Sequence, residues 1–352
     1  MDMSLDAFKS KVGSLLEKKN KNEEDQKEIK DAAEKFGDAD IHAPNLDDMI
    51  RESMENIRSG LQENYNYITE EQKMIQEDRS SLASEIQNEL AKLNDAQAKL
   101  DESTRNQYGS HFHDALNACK NCIKDYESLL ELMEMNSSHG AGAGGAVSME
   151  AYQKEKAFAT ELQVREQAIN MLVSMTPSQR AAVKNYTGSD YVDMNSALRA
   201  GKHSEKESVN QSISELHSLL KDRHASTPVT LYRGISSDVT MVPGSKKGLD
   251  QFSDQELCGK LLADRAFVST SLREGDAFNK PTVLVLNAPA GTCGAYVGDI
   301  STLENYESEF LMDCGQIFKV TRIERRDGKR YIHANVLVRP SVSSGGNYTR
   351  GH

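Results

Sequence analysis

The chain has 352 residues, which is enough for about two domains. Charged residues make up 27% of it and the formal net charge is −12, which argues against a dedicated nucleic-acid-binding protein because its footprint would be basic. The chain begins without an apolar run behind a basic segment, and no stretch approaches the roughly 20 apolar residues of a membrane span. We therefore expect no integral membrane contact and, if the protein is exported, no cleaved signal peptide.

Residues 1–136 are polar, charged and rich in helix-forming residues. Ile86, Leu93 and Leu100 recur every seven residues, and a second apolar pattern follows between 116 and 133. This spacing predicts amphipathic helices in a bundle or an antiparallel hairpin. A membrane-active surface is the less favoured alternative, because the charged face mixes both signs. We expect a helical, coiled-coil-like delivery or interaction domain here, with its first forty-odd residues loosely held.

The five cysteines are odd in number and irregularly spaced, which is not the pattern of a disulfide framework. Cys119 and Cys122 form a C-x-x-C pair inside the helical pattern, with His111 and His113 nearby. A structural zinc site needs a second such pair or two spaced histidines, and the sequence offers neither. We therefore expect no metal at this pair.

A run of glycine, alanine and serine follows the helical region. Residues 137–148 have the composition of a flexible linker, and we take them as the domain boundary. Residues 149–342 then form the second domain, and 343–352 a flexible tail.

The second domain begins with helical patterns and ends with strand-like ones, which predicts an α+β fold. Residues 150–222 are helical with two breaks, and Thr176 before Pro177 predicts an N-cap followed by proline at the first helical position. From Pro228 onward, Gly, Asn, Asp and Pro separate short apolar runs typical of strands. These runs are VTLYRG, RAFVSTS, TVLVLNAP, GAYVGDI, EFLMDC, QIFKVTRIE and YIHANVLVRP.

Three short motifs lie on these predicted strands in a fixed order. LYRGIS contains Arg233, FVSTSL contains Ser269–Ser271, and YESEFLM contains Glu307 and Glu309. Each alone is weak evidence: STS fits plain strand propensity, and two carboxylates at a strand edge can simply oppose aggregation. Residues i and i+2 of a strand point to the same face, so the two glutamates would project together. All three motifs in this order are far more specific.

With these motifs, residues 150–340 resemble the mono-ADP-ribosyltransferases of the arginine–serine–glutamate clade. That clade includes clostridial actin-modifying toxins, bacterial effector toxins and transferases injected by tailed phages. The helical segment from Met175 to Arg199 and the segment GAYVGDIS…ENYESEFLM are similar to the family's lead-in helices and catalytic strand. The resemblance implies a helical lobe plus two packed, mainly antiparallel sheets, and it does not extend to the first 136 residues.

The resemblance implies NAD⁺ as the substrate, with no metal. Glu309 would be the catalytic glutamate that stabilises an oxocarbenium-like cation, and the hydroxyl of Ser269 would orient it. Arg233 would bind the pyrophosphate with its planar guanidinium. Gly234 would let the backbone approach nicotinamide closely.

The remaining candidates are supporting residues. Thr270 and Ser271 would support the nicotinamide pocket. Asn195 and Arg199, on the lead-in helix, are weaker candidates for contacts to the adenosine or phosphate end, and Arg273 is a weaker phosphate candidate still.

The acceptor is predicted from Glu307. Family members with Glu-x-Glu usually modify arginine, whereas those with Gln-x-Glu usually modify asparagine or other groups. A guanidinium stays protonated at ordinary pH, so it must be positioned and must lose a proton as it attacks. A carboxylate two residues before Glu309 can do both. The pair therefore indicates an arginine acceptor, with threonine still open.

The expected function is an NAD⁺-dependent protein mono-ADP-ribosyltransferase, acting as a toxin or effector in the target-cell cytoplasm. A phage-injected transferase that modifies bacterial host proteins, an NAD⁺ glycohydrolase and an inactive interaction module are the alternatives. The N-terminal domain could bind a secretion chaperone, a target protein or a membrane site, and the sequence does not choose among them.

Overall fold

The computed structural model describes residues 48–105, 109–139, 147–236, 241–301 and 308–338. The first forty-odd residues, most of the predicted linker, Glu307 and the predicted tail lie outside these ranges. Within them, no helix is both long enough and apolar enough to cross a membrane.

Two long helices lie in the described part of the N-terminal region, which is helical as predicted: α1 is Asp48–Arg105 and α2 is Gly109–His139. Ile86, Leu93 and Leu100 are all buried, so the seven-residue repeat marks the inner face of α1. Helix α2 continues past residue 136, so the first residues of the predicted linker are helical.

Contacts divide the chain into two units. The first is Met1–Glu89 with Glu127–Ala157, and the second is Leu90–Tyr126 with Phe158–His352. The predicted boundary at 137–148 remains a prediction.

The first unit has a buried ion pair between its helices. Arg79 donates from Nε and Nη2 to the carboxylate of Glu155 at 2.7 and 2.9 Å. Glu155 is fully buried, and Arg79 also donates to the carbonyl oxygen of Met133 at 2.6 Å. A buried pair of this kind is tolerated when further hydrogen bonds satisfy its polar atoms.

The helices that follow are α3 (Met149–Ser174), α4 (Pro177–Asn185), α5 (Tyr191–Ala200) and α6 (Glu207–Leu220). The predicted cap of α4 is confirmed. Thr176 Oγ1 accepts from the Gln179 amide, and the Gln179 side chain accepts from the Thr176 amide, both at 3.1 Å. This reciprocal arrangement satisfies two amides that the first helical turn leaves unpaired.

A π-helical turn at Tyr186–Asp190 separates α4 from α5, at the second predicted break. Gly188 has a non-helical backbone there, with ψ of −123°. The turn redirects the chain, and α5 then carries Asn195 and Arg199.

Among the described residues of the second unit, eight strands form one sheet, so the α+β class is confirmed. They are β1 (Val229–Ile235), β2 (Leu261–Asp264), β3 (Val268–Ser271), β4 (Thr282–Ala288), β5 (Gly294–Tyr296), β6 (Glu309–Met312), β7 (Gln316–Arg326) and β8 (Lys329–Val336). Each predicted strand run contains one of them. Strand β2 was missed, because its LLAD run is too short to show a period.

The strand order is β2-β7-β8-β4-β1-β3-β6-β5, and every neighbouring pair is antiparallel except β4 and β8. The resemblance implied two packed sheets, whereas in the structure the eight described strands are hydrogen-bonded into one continuous sheet. Its weakest point is between β1 and β3, which pair only at Tyr232 and Ser271. Five strands therefore lie on one side of this narrow join and three on the other.

Candidate active site

A cavity of about 530 Å³ opens beside the narrow join, between α5, strands β1 and β3, and the loop after β3. Seven of the sequence-predicted candidates line it: Asn195, Arg199, Arg233, Gly234, Ser269, Thr270 and Ser271. These residues come from three separate regions of the chain. The motifs predicted only their order along the sequence, and the tertiary structure brings them to one cavity.

Arg233 is held in the cavity wall, with its side chain 13% exposed. Its Nη1 donates to the carbonyl oxygen of Ser269 at 2.6 Å, and its Nη2 lies 3.6 Å from Asp264 Oδ2. Its Nε is buried and has no hydrogen-bond partner in the described part of the chain. The guanidinium is thus fixed in orientation before any ligand binds.

Asp264, the last residue of β2, was missed by the sequence reasoning. It is fully buried and accepts from Arg199 Nε at 3.1 Å and Nη2 at 3.0 Å. The amide of Ala266 also donates to it, at 3.0 Å. One carboxylate therefore positions both Arg199 and Arg233. The two arginines exceed it in charge, so this wall carries a net positive charge suited to an anionic ligand.

Asn195 is anchored by a buried tyrosine. Its Nδ2 donates to the hydroxyl of Tyr186 at 3.1 Å, while its Oδ1 is buried and has no partner among the described residues. Burial raises the pKa of Tyr186; the charge of Arg233 opposes this rise and that of Glu309 adds to it. The phenol therefore stays protonated and can hold Asn195 in place at ordinary pH.

Glu309 begins β6 and is only 4% exposed. Its partner across the strands is Ser271, whereas Ser269 lies opposite Leu311. Directly opposed residues of an antiparallel pair share a face, so Ser271 is the nearer hydroxyl in register and Ser269 lies one pair further along that face. Glu309 itself does not line the cavity, but both serines do. The predicted role of Ser269 in orienting Glu309 remains a prediction.

Thr270 faces away from the two serines and has a structural bond. Its Oγ1 donates to the carbonyl oxygen of Phe310 at 2.6 Å, and its side chain is buried. This bond adds to the pairing of β3 with β6 and helps to fix the strand that begins at Glu309.

Gly234 is needed for a contact that the sequence did not show. A Cβ atom at this position would lie 1.8 Å from the carbonyl oxygen of Phe278, in the loop after β3. The expected reason for glycine was the approach of nicotinamide, whereas in the structure the loop backbone occupies that space. Phe278 is half-exposed and lines the cavity. The absence of a side chain at Gly234 therefore allows the loop that carries Phe278 to form one wall of the cavity.

Arg273 and Glu307 complete the predicted set. Arg273 does not line the cavity; it makes a two-pronged ion pair with Glu161, with both distances at 2.8 Å. Glu307 lies outside the described residues, so its position is not part of the geometry above.

The cysteine pair in α2 is part of the core. Burial raises the pKa of Cys119 to about 11 and that of Cys122 to about 12. Cys119 Sγ donates to the carbonyl oxygen of Leu93 at 3.3 Å. Both thiols are therefore protonated at ordinary pH, as is usual for cysteines packed in an apolar core.

Residues 151–339, more than half of the chain, match the family model of the ADP-ribosyltransferase exoenzymes. The chain belongs to this family. It is also similar to the NAD(+)--arginine ADP-ribosyltransferase EFV of Enterococcus faecalis, with 24% identity over 161 residues. That match covers 44% of this chain and 31% of the relative, so the chain spans about a third of the length of the curated relative.

Two solved structures are similar over about half of this chain. Plx2a, an ADP-ribosyltransferase toxin from Paenibacillus larvae, has 21% identity and a TM-score of 0.45, covering 53% of this chain and 96% of that one. C3stau2 from S. aureus, solved with NAD, has 19% identity and a TM-score of 0.43, covering 52% and 95%.

Proposed function

We propose that the chain is an NAD⁺-dependent protein mono-ADP-ribosyltransferase that modifies arginine. One observation carries the proposal: Arg233, Ser269 and Ser271 converge on a single cavity, and Glu309 lies directly across the strands from Ser271. This is the set of groups suited to breaking the nicotinamide–ribose bond of NAD⁺, namely an anion-binding fork, hydroxyl groups and a carboxylate.

The cavity wall formed by the arginines would bind the pyrophosphate. Arg233 offers a planar fork whose direction is already set by Ser269 O and Asp264. Arg199, held by the same carboxylate, keeps 28% of its side chain exposed and can reach a ligand from the α5 side. A prepositioned guanidinium loses little conformational freedom when phosphate binds.

The chemical step would break the bond between ribose C1′ and the nicotinamide nitrogen. The bonding electrons leave with nicotinamide and neutralise its ring charge, while positive charge develops at C1′. Glu309 would stabilise that cation, and its burial reduces screening by water. A guanidinium nitrogen of the acceptor then bonds to C1′ and loses a proton, for which Glu307 is the proposed base.

Arginine specificity is supported by the Glu-x-Glu pair and by the arginine-directed activity of the Enterococcus faecalis relative, which is distant. An NAD⁺ glycohydrolase would not need Glu307, because water requires no clamp. An inactive interaction module would tolerate loss of Arg233, Ser269 or Glu309, and all three are present. Both alternatives are therefore less well supported.

The setting is also part of the proposal. We infer a toxin or effector that reaches the target-cell cytoplasm by a secretion apparatus or with injected phage DNA, and that modifies a protein there. The helical N-terminal region would serve delivery, with a secretion chaperone as one partner. The support is the family's exoenzyme character, together with a helical region outside the match.

The test uses the full chain with NAD⁺ labelled in the adenylate part and a cell lysate. Protein-bound label and released nicotinamide are measured together, and mass spectrometry locates the modified side chain. Glu309→Gln is the inactive reference, and Glu205→Gln, which changes an exposed glutamate, is the matched control. Nicotinamide release without protein label would replace the transferase with a glycohydrolase, and absence of both products would indicate an inactive module.

A further inference from the structure

Three potential metal ligands come together at the end of β6, away from the cavity. His217 lies in the last turn of α6, and Asp313 and Cys314 follow β6 directly. His217 Nδ1 is 2.8 Å from Asp313 Oδ1 and 3.8 Å from Cys314 Sγ. The three ligand atoms lie within 4.8 Å of one another, and no other such group occurs in the described ranges. None of the three residues lines the active-site cavity.

The geometry does not fit a nucleophilic triad. In such a triad the thiol meets one ring nitrogen and the acid holds the other. Here the carboxylate and the thiol both approach the same nitrogen, Nδ1, of His217. The arrangement converges on a point between three ligand atoms instead of forming a chain through the ring.

The distances are close to those of a coordinated ion. Zinc bonds of about 2.0–2.3 Å in tetrahedral geometry place neighbouring ligand atoms roughly 3.3–3.6 Å apart. The separations of 2.8 and 3.8 Å from His217 Nδ1 differ from these values by at most about half an ångström, and all three ligand atoms lie within 4.8 Å of one another, so side-chain rotations can bring them around one ion.

The surroundings favour a cation with access from solvent. Asp313 is fully buried, whereas the His217 side chain is 44% exposed and leaves an entry path. The C-terminal end of α6 adds partial negative charge. The backbone of Asp313 is also fixed, because its amide donates to Cys293 O at 3.3 Å and Gln316 Nε2 donates to its carbonyl oxygen at 2.9 Å.

We propose that His217, Asp313 and Cys314 bind a divalent ion of the zinc class, with a fourth position open to water. Imidazole, carboxylate and thiolate together suit zinc better than the oxygen-preferring magnesium or calcium. Binding requires that the imidazole nitrogen and the thiol give up their protons. The ion would tie α6 to the far end of the strand that begins with Glu309, roughly 13 Å from that residue. It takes no part in ADP-ribosyl transfer.

The experiment titrates Co²⁺ and then Zn²⁺ into the full chain, prepared without a histidine tag. We expect one Co²⁺ per chain, with a thiolate-to-cobalt charge-transfer absorption that Zn²⁺ abolishes. Cys314→Ser should remove this absorption, and His217→Gln should weaken Zn²⁺ binding at least tenfold, since loss even of an outer partner typically costs about 10–100-fold. Cys258→Ser is the matched control, because it removes an exposed thiol outside the cluster and should leave binding unchanged.

Two results would overturn the proposal. One is a wild-type chain without thiolate-to-cobalt absorption. The other is thiolate-to-cobalt absorption that survives Cys314→Ser. In that case Cys293→Ser tests the neighbouring pair, in which Cys293 Sγ lies 3.5 Å from His224 Nδ1, as the ligand set. Circular dichroism of each metal-free variant verifies folding. If Cys314→Ser does not fold, the Zn²⁺ affinity of His217→Gln is the test, because this variant changes a half-exposed side chain; unchanged affinity would then overturn the proposal.

Discussion

In the proposed mechanism, replacing Glu309 by glutamine removes the charge that opposes the developing cation while it keeps the shape of the side chain. At a separation of roughly 4 Å, two unit charges interact by about 1 kcal/mol in bulk water and by about 4 kcal/mol at an effective dielectric constant near 20. Glu309 is 4% exposed, so the second value applies. Because about 1.4 kcal/mol corresponds to a tenfold change in rate, we expect Glu309→Gln to slow NAD⁺ cleavage by about 10³-fold.

The assay is nicotinamide release at saturating NAD⁺, measured with and without an acceptor protein. Both transfer and hydrolysis should fall together, since every acceptor meets the same cation. NAD⁺ affinity, measured by calorimetry, should change little, because the ground state lacks this positive charge at C1′. Glu205→Gln should behave like the wild type.

A fall of less than about tenfold in a folded Glu309→Gln variant would refute this reasoning, since an interaction screened as in bulk water predicts only about a fivefold effect. Loss of NAD⁺ affinity in proportion to the loss of rate would also contradict it, and would make Glu309 a binding residue.

Four further outcomes are expected. Glu307→Ala should abolish protein labelling while nicotinamide release largely persists, and undiminished labelling would remove the arginine-acceptor assignment. Arg233→Lys keeps the charge but loses the planar fork, so calorimetry should show weaker NAD⁺ binding with little change in stability; unchanged affinity would take Arg233 out of the phosphate site. Asp264→Asn leaves its partner guanidinium groups without their buried carboxylate and should lower the unfolding free energy, measured in urea, by about 3 kcal/mol, near the lower end for breaking a buried pair. A chain that begins at Ser148 tests the domain boundary: we expect it to fold and to cleave NAD⁺, and a soluble but inert product would show that the preceding helices complete the site.

The elements of the second unit were predictable because their signals are local. Thr176 and Gln179 lie three residues apart, so the capping box is visible in the sequence before any contact is known. Most strands show apolar runs bounded by turn residues. Strand β2 lacked that signal, and with it Asp264, the residue that positions the arginines of the cavity, was missed.

The sequence was enough to predict the family, the order of the three motifs and the types of groups available for the proposed reaction. Which of these groups lie next to one another is visible only in the folded chain. Arg199 and Asp264 are 65 residues apart, and His217 and Asp313 are 96 residues apart, so no spacing rule connects either pair. The C-x-x-C pair, whose spacing is visible in the sequence, is buried in a helical core. The register of β3 and β6 places Ser271 opposite Glu309. The loop at Phe278 packs so close to Gly234 that a side chain at this position would clash with it. Such neighbours depend on how strands pair and loops close, which are long-range properties of the folded chain.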